Sequence, residues 1–317
     1  MTINMIPESE LIVNIKVVGI GGAGINVLNH MDPATAKVVQ RIAIDTNAEH
    51  IADSPADVRI QLGNSITKGL GTGGQVDLGS AAAYDQQVHI RKSLEKTDML
   101  FIVSGMGGGT GSGAAPVVAE IAKELGILTV AIATKPFSFE GRTRMNTAER
   151  GIDQLKYYAD AVILVPNDNL KYASDEKPTF RNAFRIADEV LGKTLTGIID
   201  VIQKPAYINS DFADICAVLR GSGRMHMGLA SASGADRIED IIREISDSRL
   251  LGTSVSGARG VLLCVSASMD VELEAIERIS LAIQQAADPD ANIIFGMDFQ
   301  EDTDGGISAM LLAADIQ

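Results

Sequence analysis

The chain is poor in the residues on which metal and nucleophile chemistry rest. Its 317 residues include two cysteines and four histidines. Cys216 and Cys264 match no metal-ligand spacing, and His30, His50, His89 and His226 are scattered without ligand spacing or a serine partner. This argues against a metal or triad enzyme and fits a reducing cytoplasm. Positive charge is also scarce: 27 Lys and Arg against 41 Asp and Glu leave a net charge of −14. Neither nonspecific nucleic-acid binding nor unaided adhesion to an anionic membrane is expected from such a surface. No apolar stretch approaches the roughly 20 residues that span a bilayer, since even the run at 127–133 ends at Thr134-Lys135-Pro136. No charged, then apolar, then small-residue leader opens the chain. A chain of this length, 46% hydrophobic, can bury a large core and build two domains.

Glycine is what the sequence has in concentration. In Gly105-Met106-Gly107-Gly108-Gly109-Thr110-Gly111-Ser112-Gly113, seven of nine positions are glycine or threonine, and the stretch directly follows the apolar run 99–103. A strand therefore enters a loop whose bare backbone lets N–H groups converge on an anion. The helix expected at 114–125 points its positive end at the same place, and Thr110 adds a hydroxyl donor. A glycine-rich turn for tight packing is the plainer reading. Ordering each glycine costs about 0.5–1 kcal/mol relative to alanine, however, which favours a ligand that needs the bare backbone.

A second glycine loop, Gly19-Ile20-Gly21-Gly22-Ala23-Gly24, follows the strand at 15–18 and meets Asp45 at the end of the next strand. It fits both the dinucleotide fingerprint and a generic phosphate loop. Gly192-Lys193-Thr194 is similar to the end of a Walker loop, but Ala187 replaces the first glycine and the segment lies within a helical pattern.

Strands are predicted at 11–18, 41–45, 58–62, 99–103, 128–133 and 161–165, with helices at 77–94, 114–125 and 143–158. The fold class is α/β: a mostly parallel nucleotide-binding sheet with helices on both faces, a long central helix, and a smaller α+β C-terminal domain. The divisions are 1–178, 179–204 and 205–317. The long helix follows Phe180, Phe184, Ala187, Leu191, Leu195, Ile198 and Ile202, and Pro205 stops it. Beyond it come a short helix at 211–219, a glycine-rich link, and helix, strand, helix, strand, strand from residue 236.

Three further segments carry polar chemistry. Residues 135–144 follow a strand, and Glu140 and Arg144 there can hydrogen-bond ribose hydroxyls or phosphate, or merely form surface ion pairs at a helix start. Pro166-Asn167-Asp168 suits either a turn or base recognition. Asn209-Ser210-Asp211-Phe212-Ala213-Asp214 places two carboxylates on neighbouring faces of one helical turn. There Asp211 reads as an N-cap or, with Asp214, as a group positioning water from another molecule.

In this order the segments resemble the tubulin and FtsZ superfamily, most closely bacterial-type FtsZ, over nearly the whole chain. The resemblance also takes in Gly69 to Gly74, Ser256-Gly257-Ala258-Arg259-Gly260 and Asp288-Pro289-Asp290-Ala291-Asn292-Ile293-Ile294-Phe295-Gly296. It implies a GTP-hydrolysing cytoskeletal protein of cell division that binds GTP or GDP, with Mg²⁺ held mainly by phosphates and water and no protein metal site. Gly21, Gly22, Ala23, Gly24 and Asn26, with Gly107, Gly108, Gly109, Thr110 and Gly111, would form the phosphate side. Glu140 and Arg144 would hold the ribose, Asn167 and Asp188 would read guanine, and Phe184 would stack on the base. Asp211, Asp214 and Asn209 would complete the active site of the next subunit, so the expected partner is a second copy, head to tail in a filament.

Further expectations concern the setting. Cytoplasmic location at the division site is implied, without nucleic acid and without direct membrane contact. Division adaptor proteins are possible partners, but the chain stops at Gln317 without the family's C-terminal tail. It departs from the family at Asp45-Thr46-Asn47, where Asn-Thr-Asp is expected, and at Ser112, where Thr is usual. Two other readings are a tubulin-like filament for plasmid or DNA positioning and a Rossmann-type dinucleotide-dependent oxidoreductase.

Overall fold

The computed structural model describes residues 13–173, 178–203, 208, 211–269, 271–299 and 306–314. Asn209, Ser210, the Pro205 stop and the first two residues of the strand expected from 11 lie outside the described residues.

Seven strands form the larger sheet: β1 (Ile15–Ile20), β2 (Gln40–Asp45), β3 (Val58–Gln61), β4 (Met99–Gly105), β5 (Leu128–Lys135), β6 (Ala161–Pro166) and β7 (Gly223–Arg224). Their order is β3-β2-β1-β4-β5-β6-β7 and every pairing is parallel. The strands are apolar on both faces because both faces are covered. Along β4, Met99, Phe101 and Val103 face one core and Leu100 and Ile102 the other. The first core holds the helices Gly21–Asn29 and Ala183–Gln203. The second holds Val76–Asp85, Gln87–Leu94, Gly109–Glu124 and Arg142–Tyr158.

The smaller sheet has the order β12-β11-β13-β8, where β8 is His226–Ala232, β11 Gly260–Ala267, β12 Asn292–Phe299 and β13 Ile307–Ala314. Two short strands, β9 (Asp247–Ser248) and β10 (Thr253–Ser254), pair beside it. One face packs on helices Arg237–Ser246 and Leu273–Ala286. The other turns Met227, Leu262, Met310 and Leu312 towards the long helix, which runs between the two sheets.

Several sequence expectations are corrected by this architecture. The helix expected at 77–94 is two, broken at Gln86. The helix expected from 114 begins at Gly109, so Gly109, Thr110, Gly111, Ser112 and Gly113 form its first turns rather than a loop. Crowding explains why these turns are glycine: a Cβ on Gly111 would lie 2.3 Å from the Gly105 carbonyl, and one on Gly113 2.4 Å from that of Val76. Strands β7 and β8 occupy what read as a glycine-rich link. His226, within β8, is fully buried, with one ring nitrogen on the Thr253 hydroxyl and Nε2 donating to the Ile245 carbonyl at 2.7 Å. Burial pushes its pKa down, and the ring is a structural hydrogen-bonding group.

Candidate active site

The order of β1 to β6, 3-2-1-4-5-6, reverses direction between β1 and β4. In open parallel sheets ligands bind beyond the carboxyl ends of the strands at such a switch point. Both glycine loops lie there. Helix Gly21–Asn29 starts directly after β1, and helix Gly109–Glu124 starts four residues after β4. Their first turns nearly touch: a Cβ on Gly21 would be 3.5 Å from the Gly111 amide nitrogen. Two positive helix ends therefore converge on one spot, and bare backbone lets a ligand approach them.

A cavity of about 340 Å³ opens at this point. Gly21, Gly22, Ala23, Gly108, Gly109, Thr110, Gly111, Glu140, Arg144, Asn167, Phe184 and Asp188 all line it. Gly24, Asn26 and Gly107 do not. Gly24 lets the first helix lie against β4, since its Cβ would fall 2.3 Å from the Val103 carbonyl. Asn26 donates from Nδ2 to Asp188 Oδ2 at 3.2 Å, and Gly107, at φ +100°, donates its amide to Ser112 Oγ at 2.8 Å.

The loops after β5 and β6 form the other wall. Glu140 is held on both oxygens, Oε1 by the Phe137 amide at 2.8 Å and Oε2 by Arg144 Nε at 3.0 Å. The ion pair leaves Glu140 able to bind a ligand as well, because each carboxylate oxygen retains a lone pair for a hydroxyl. Asp168 accepts from the Ser138 amide at 3.0 Å and ties the two loops. Its neighbour Asn167 is 6% exposed, and its Oδ1 has no hydrogen-bond partner among the described residues. A buried, unpaired amide oxygen costs about 1–3 kcal/mol, so this atom calls for a donor from a ligand. Phe184 stands half-exposed at the same end, held edge-on by Phe137 at 5.6 Å between centroids. Burial pushes the Asp188 carboxyl up to about 6, opposed by the Asn26 amide and by His30.

Other lining residues were named in the sequence without a place in the site, or were set aside. Thr46 and Thr110 share a hydroxyl hydrogen bond of 2.7 Å, which joins the end of β2 to the glycine helix. Gly71 and Thr72 close the cavity from the loop before Val76, and Thr72 Oγ1 would lie 2.2 Å from a Cβ on Gly109. His50, set aside as an isolated histidine, also lines the cavity. Its i+5 spacing from Asp45 was the only signal for it.

Asp211 and Asp214 are elsewhere. Both are exposed, beside and within the helix Phe212–Leu219, and Asp211 occupies the N-cap position without a side-chain cap bond, which removes the plain capping explanation. Just past this helix, Gly223 donates its amide to the Asp160 carbonyl at 2.9 Å and Ser222 Oγ to the same oxygen at 3.4 Å. Asp160 immediately precedes β6, so the helix is anchored at the end of the sheet opposite the cavity. A larger cavity, about 900 Å³, separates the long helix from the smaller sheet, lined by residues such as Gly197, Cys264 and Met310. It contains neither glycine loop.

The pattern of the Tubulin/FtsZ family, GTPase domain, matches residues 14–175, and that of the FtsZ family, C-terminal domain, matches 223–317. The chain is 43% identical over 306 residues to cell division protein FtsZ 2 of Rhizobium meliloti, covering 96% of this chain and 88% of that protein. It is also 43% identical over 304 residues to cell division protein FtsZ of Rickettsia conorii, covering 95% and 67%. Among solved structures, an empty FtsZ dimer of M. jannaschii superposes with a TM-score of 0.87 at 34% identity, over 98% of this chain and 92% of that one. No helix of the described residues is long and apolar enough to cross a membrane. With its glycine cradle at the switch point and its two matched domains, the chain belongs to the tubulin/FtsZ family, as an FtsZ-type cytoskeletal GTPase of cell division.

Proposed function

We propose that the cavity at the β1/β4 switch point binds GTP and that hydrolysis takes place only when a second copy docks head to tail over it. The observation that carries this is the placement of two sets of residues at opposite ends of the molecule. The glycine cradle lies beyond the carboxyl ends of the strands, and the exposed Asp211 and Asp214 belong to a helix anchored at the opposite end. The amides of the two helix starts hold the phosphates, Glu140 and Arg144 take the ribose, and Phe184 stacks on the base. Asn167 Oδ1 and the Asp188 carboxylate accept from the N–H groups of the guanine edge. Asp211 and Asp214 of the next copy orient the attacking water and take its proton, and its Asn209 helps place the γ-phosphate, with GDP and phosphate as products. Among the described residues no cluster of three acidic, His or Cys groups is placed to hold a metal. Mg²⁺ is held mainly by the nucleotide's phosphate oxygens and water.

A contact between unlike surfaces repeats without closing, which makes the assembly a filament. The dimer among the related solved structures supports self-association. We place the chain in the cytoplasm at the division site, where adaptor proteins supply any membrane attachment. The direct test is phosphate release across a range of protein concentrations with GTP and Mg²⁺. Turnover per molecule is expected to rise with concentration and level off as filaments form, and turnover that stays constant to high dilution rules out the shared site.

Base recognition gives two more expected results. ATP should compete at least tenfold less well than GTP in a displacement assay, because adenine leaves Asn167 Oδ1 and Asp188 without their donors. Equal competition removes the base assignment. Guanine donates to the ionised Asp188 only, and in the empty protein this carboxyl is protonated below about 6. Affinity should accordingly weaken by about tenfold per unit on the acid side of that pH, while Asp188→Asn should bind weakly and lose this acid-side dependence. Calorimetric titration between pH 5 and 8 reads both.

A further inference from the structure

Asp45 and His50 form a hydrogen-bonded pair at the phosphate side of the cavity that the scheme above leaves unused. Asp45 ends β2 with its side chain 4% exposed. Its Oδ1 accepts from the amides of Thr46 at 2.6 Å and Asn47 at 3.2 Å, which fixes the carboxylate and leaves Oδ2 to the His50 Nδ1, 2.7 Å away. A carboxylate can only accept, so Nδ1 carries a hydrogen and Nε2 is the free nitrogen. The His50 ring is half-exposed and lies over the first turn of helix Gly21–Asn29. A Cβ on Gly22 would be 3.2 Å from Cε1 and 3.9 Å from Nε2.

The charge of the lining gives this pair its meaning. Among the described residues no lysine lines the cavity, and the charged side chains are Asp45, Glu140, Asp188 and Arg144. Arg144 is bonded to Glu140. His50 is the remaining lining side chain that can turn cationic, and it stands at the helix start that we assign to phosphate. Three carboxylates around a polyanion are a poor electrostatic setting without such a group.

We propose that His50 is a phosphate-binding residue of this site, held by Asp45 through Nδ1–H so that its Nε2–H donates to the phosphate chain of a nucleoside di- or triphosphate. A phosphate oxygen is an acceptor, so the bound form has the imidazolium, one hydrogen on Asp45 and one on the ligand. The carboxylate is a positioning group: it sets the ring's orientation and offsets its charge. The inference rests on the nucleotide reading of the cavity and adds a side-chain donor to a cradle otherwise made of backbone.

The test is calorimetric titration of the full chain with GTP, GDP and guanosine, on the parent, His50→Ala and His50→Gln. A charge-assisted hydrogen bond makes the expected loss about tenfold or more for GTP and GDP in His50→Ala. Guanosine should bind all three proteins alike, and His50→Gln should recover part of the loss. Unchanged GTP and GDP affinity in a folded His50→Ala protein overturns the proposal, as does an equal loss for guanosine, which would make the ring a packing element. A parent that binds guanosine but gains nothing from the phosphates removes the cradle itself. ¹⁵N spectra of the histidine-labelled parent need no variant. In the GTP-saturated complex the His50 ring should carry hydrogens on both nitrogens, and a neutral ring there overturns the proposal.

Discussion

Asp214→Ala and Asp211→Ala proteins are expected to bind GTP as tightly as the parent and to hydrolyse it on the order of 10²–10⁴ times more slowly, the usual cost of losing a group that positions or deprotonates water. Distance within one copy decides this. The cavity lies at the carboxyl ends of the strands, while the helix bearing these side chains is tied to Asp160 at the other end of β6. Both carboxylates are exposed, and neither is engaged by another described side chain, so their removal leaves the core alone. Filaments formed by either variant should persist, because the nucleotide that supports assembly is not consumed. Titration with GTP, phosphate release and sedimentation measure the three effects separately. Parental turnover in both variants would remove the carboxylates from the mechanism. A mixture of Asp214→Ala with a cradle-defective copy should be more active than either alone, because a sound cradle can then meet sound carboxylates across one contact.

Gly108→Val supplies that cradle-defective copy and the second large effect. No atom lies within 4 Å of a Cβ built at Gly108, and the residue lines the cavity with an ordinary extended backbone. The empty protein therefore accommodates valine, while a ligand seated on the helix start meets its methyl groups. Nucleotide binding should be abolished with thermal unfolding of the empty protein shifted little. Gly111→Ala makes the informative contrast. Its Cβ would sit 2.3 Å from the Gly105 carbonyl, so this substitution should lower stability by about 1–3 kcal/mol, as overpacking does. Parental affinity in a folded Gly108→Val protein would show that the loop serves packing only.

Much of this arrangement was legible in the sequence because its signals are local. Buried parallel strands read as continuous apolar runs, and all six predicted strands of the first domain are present with ends shifted by a few residues. The long helix announced itself by its three-or-four residue repeat. What stayed hidden depended on contacts distant in sequence. Nothing near Gln86 marks the break between two helices. The need for glycine in the turns that start at Gly109 comes from crowding against Thr72, Gly105 and Val76. Strand β7 has two residues and exists only because β6 offers an edge. In the site, the glycines and the residues at strand ends could be listed in advance. The burial of Asn167 and the meeting of Thr46 with Thr110, 64 positions apart, could not. His50 is the instructive case, since a histidine five residues from an aspartate has no meaning until a strand end and a short helix turn the two together.

The switch point also governs when the cavity comes into being. β1 finds one neighbour in β2, 24 residues on, and the other in β4, where Ile15 pairs with Met99 across 84 residues. Phe184 and Asp188, on the far wall, belong to a helix that packs on the face these strands build together. Closing such long loops is slow, and the binding surface is completed among the last events of folding. A nucleotide therefore has nothing to hold in the partly folded chain. Its stabilisation is expressed almost wholly as slower unfolding, with the rate of folding left as it is.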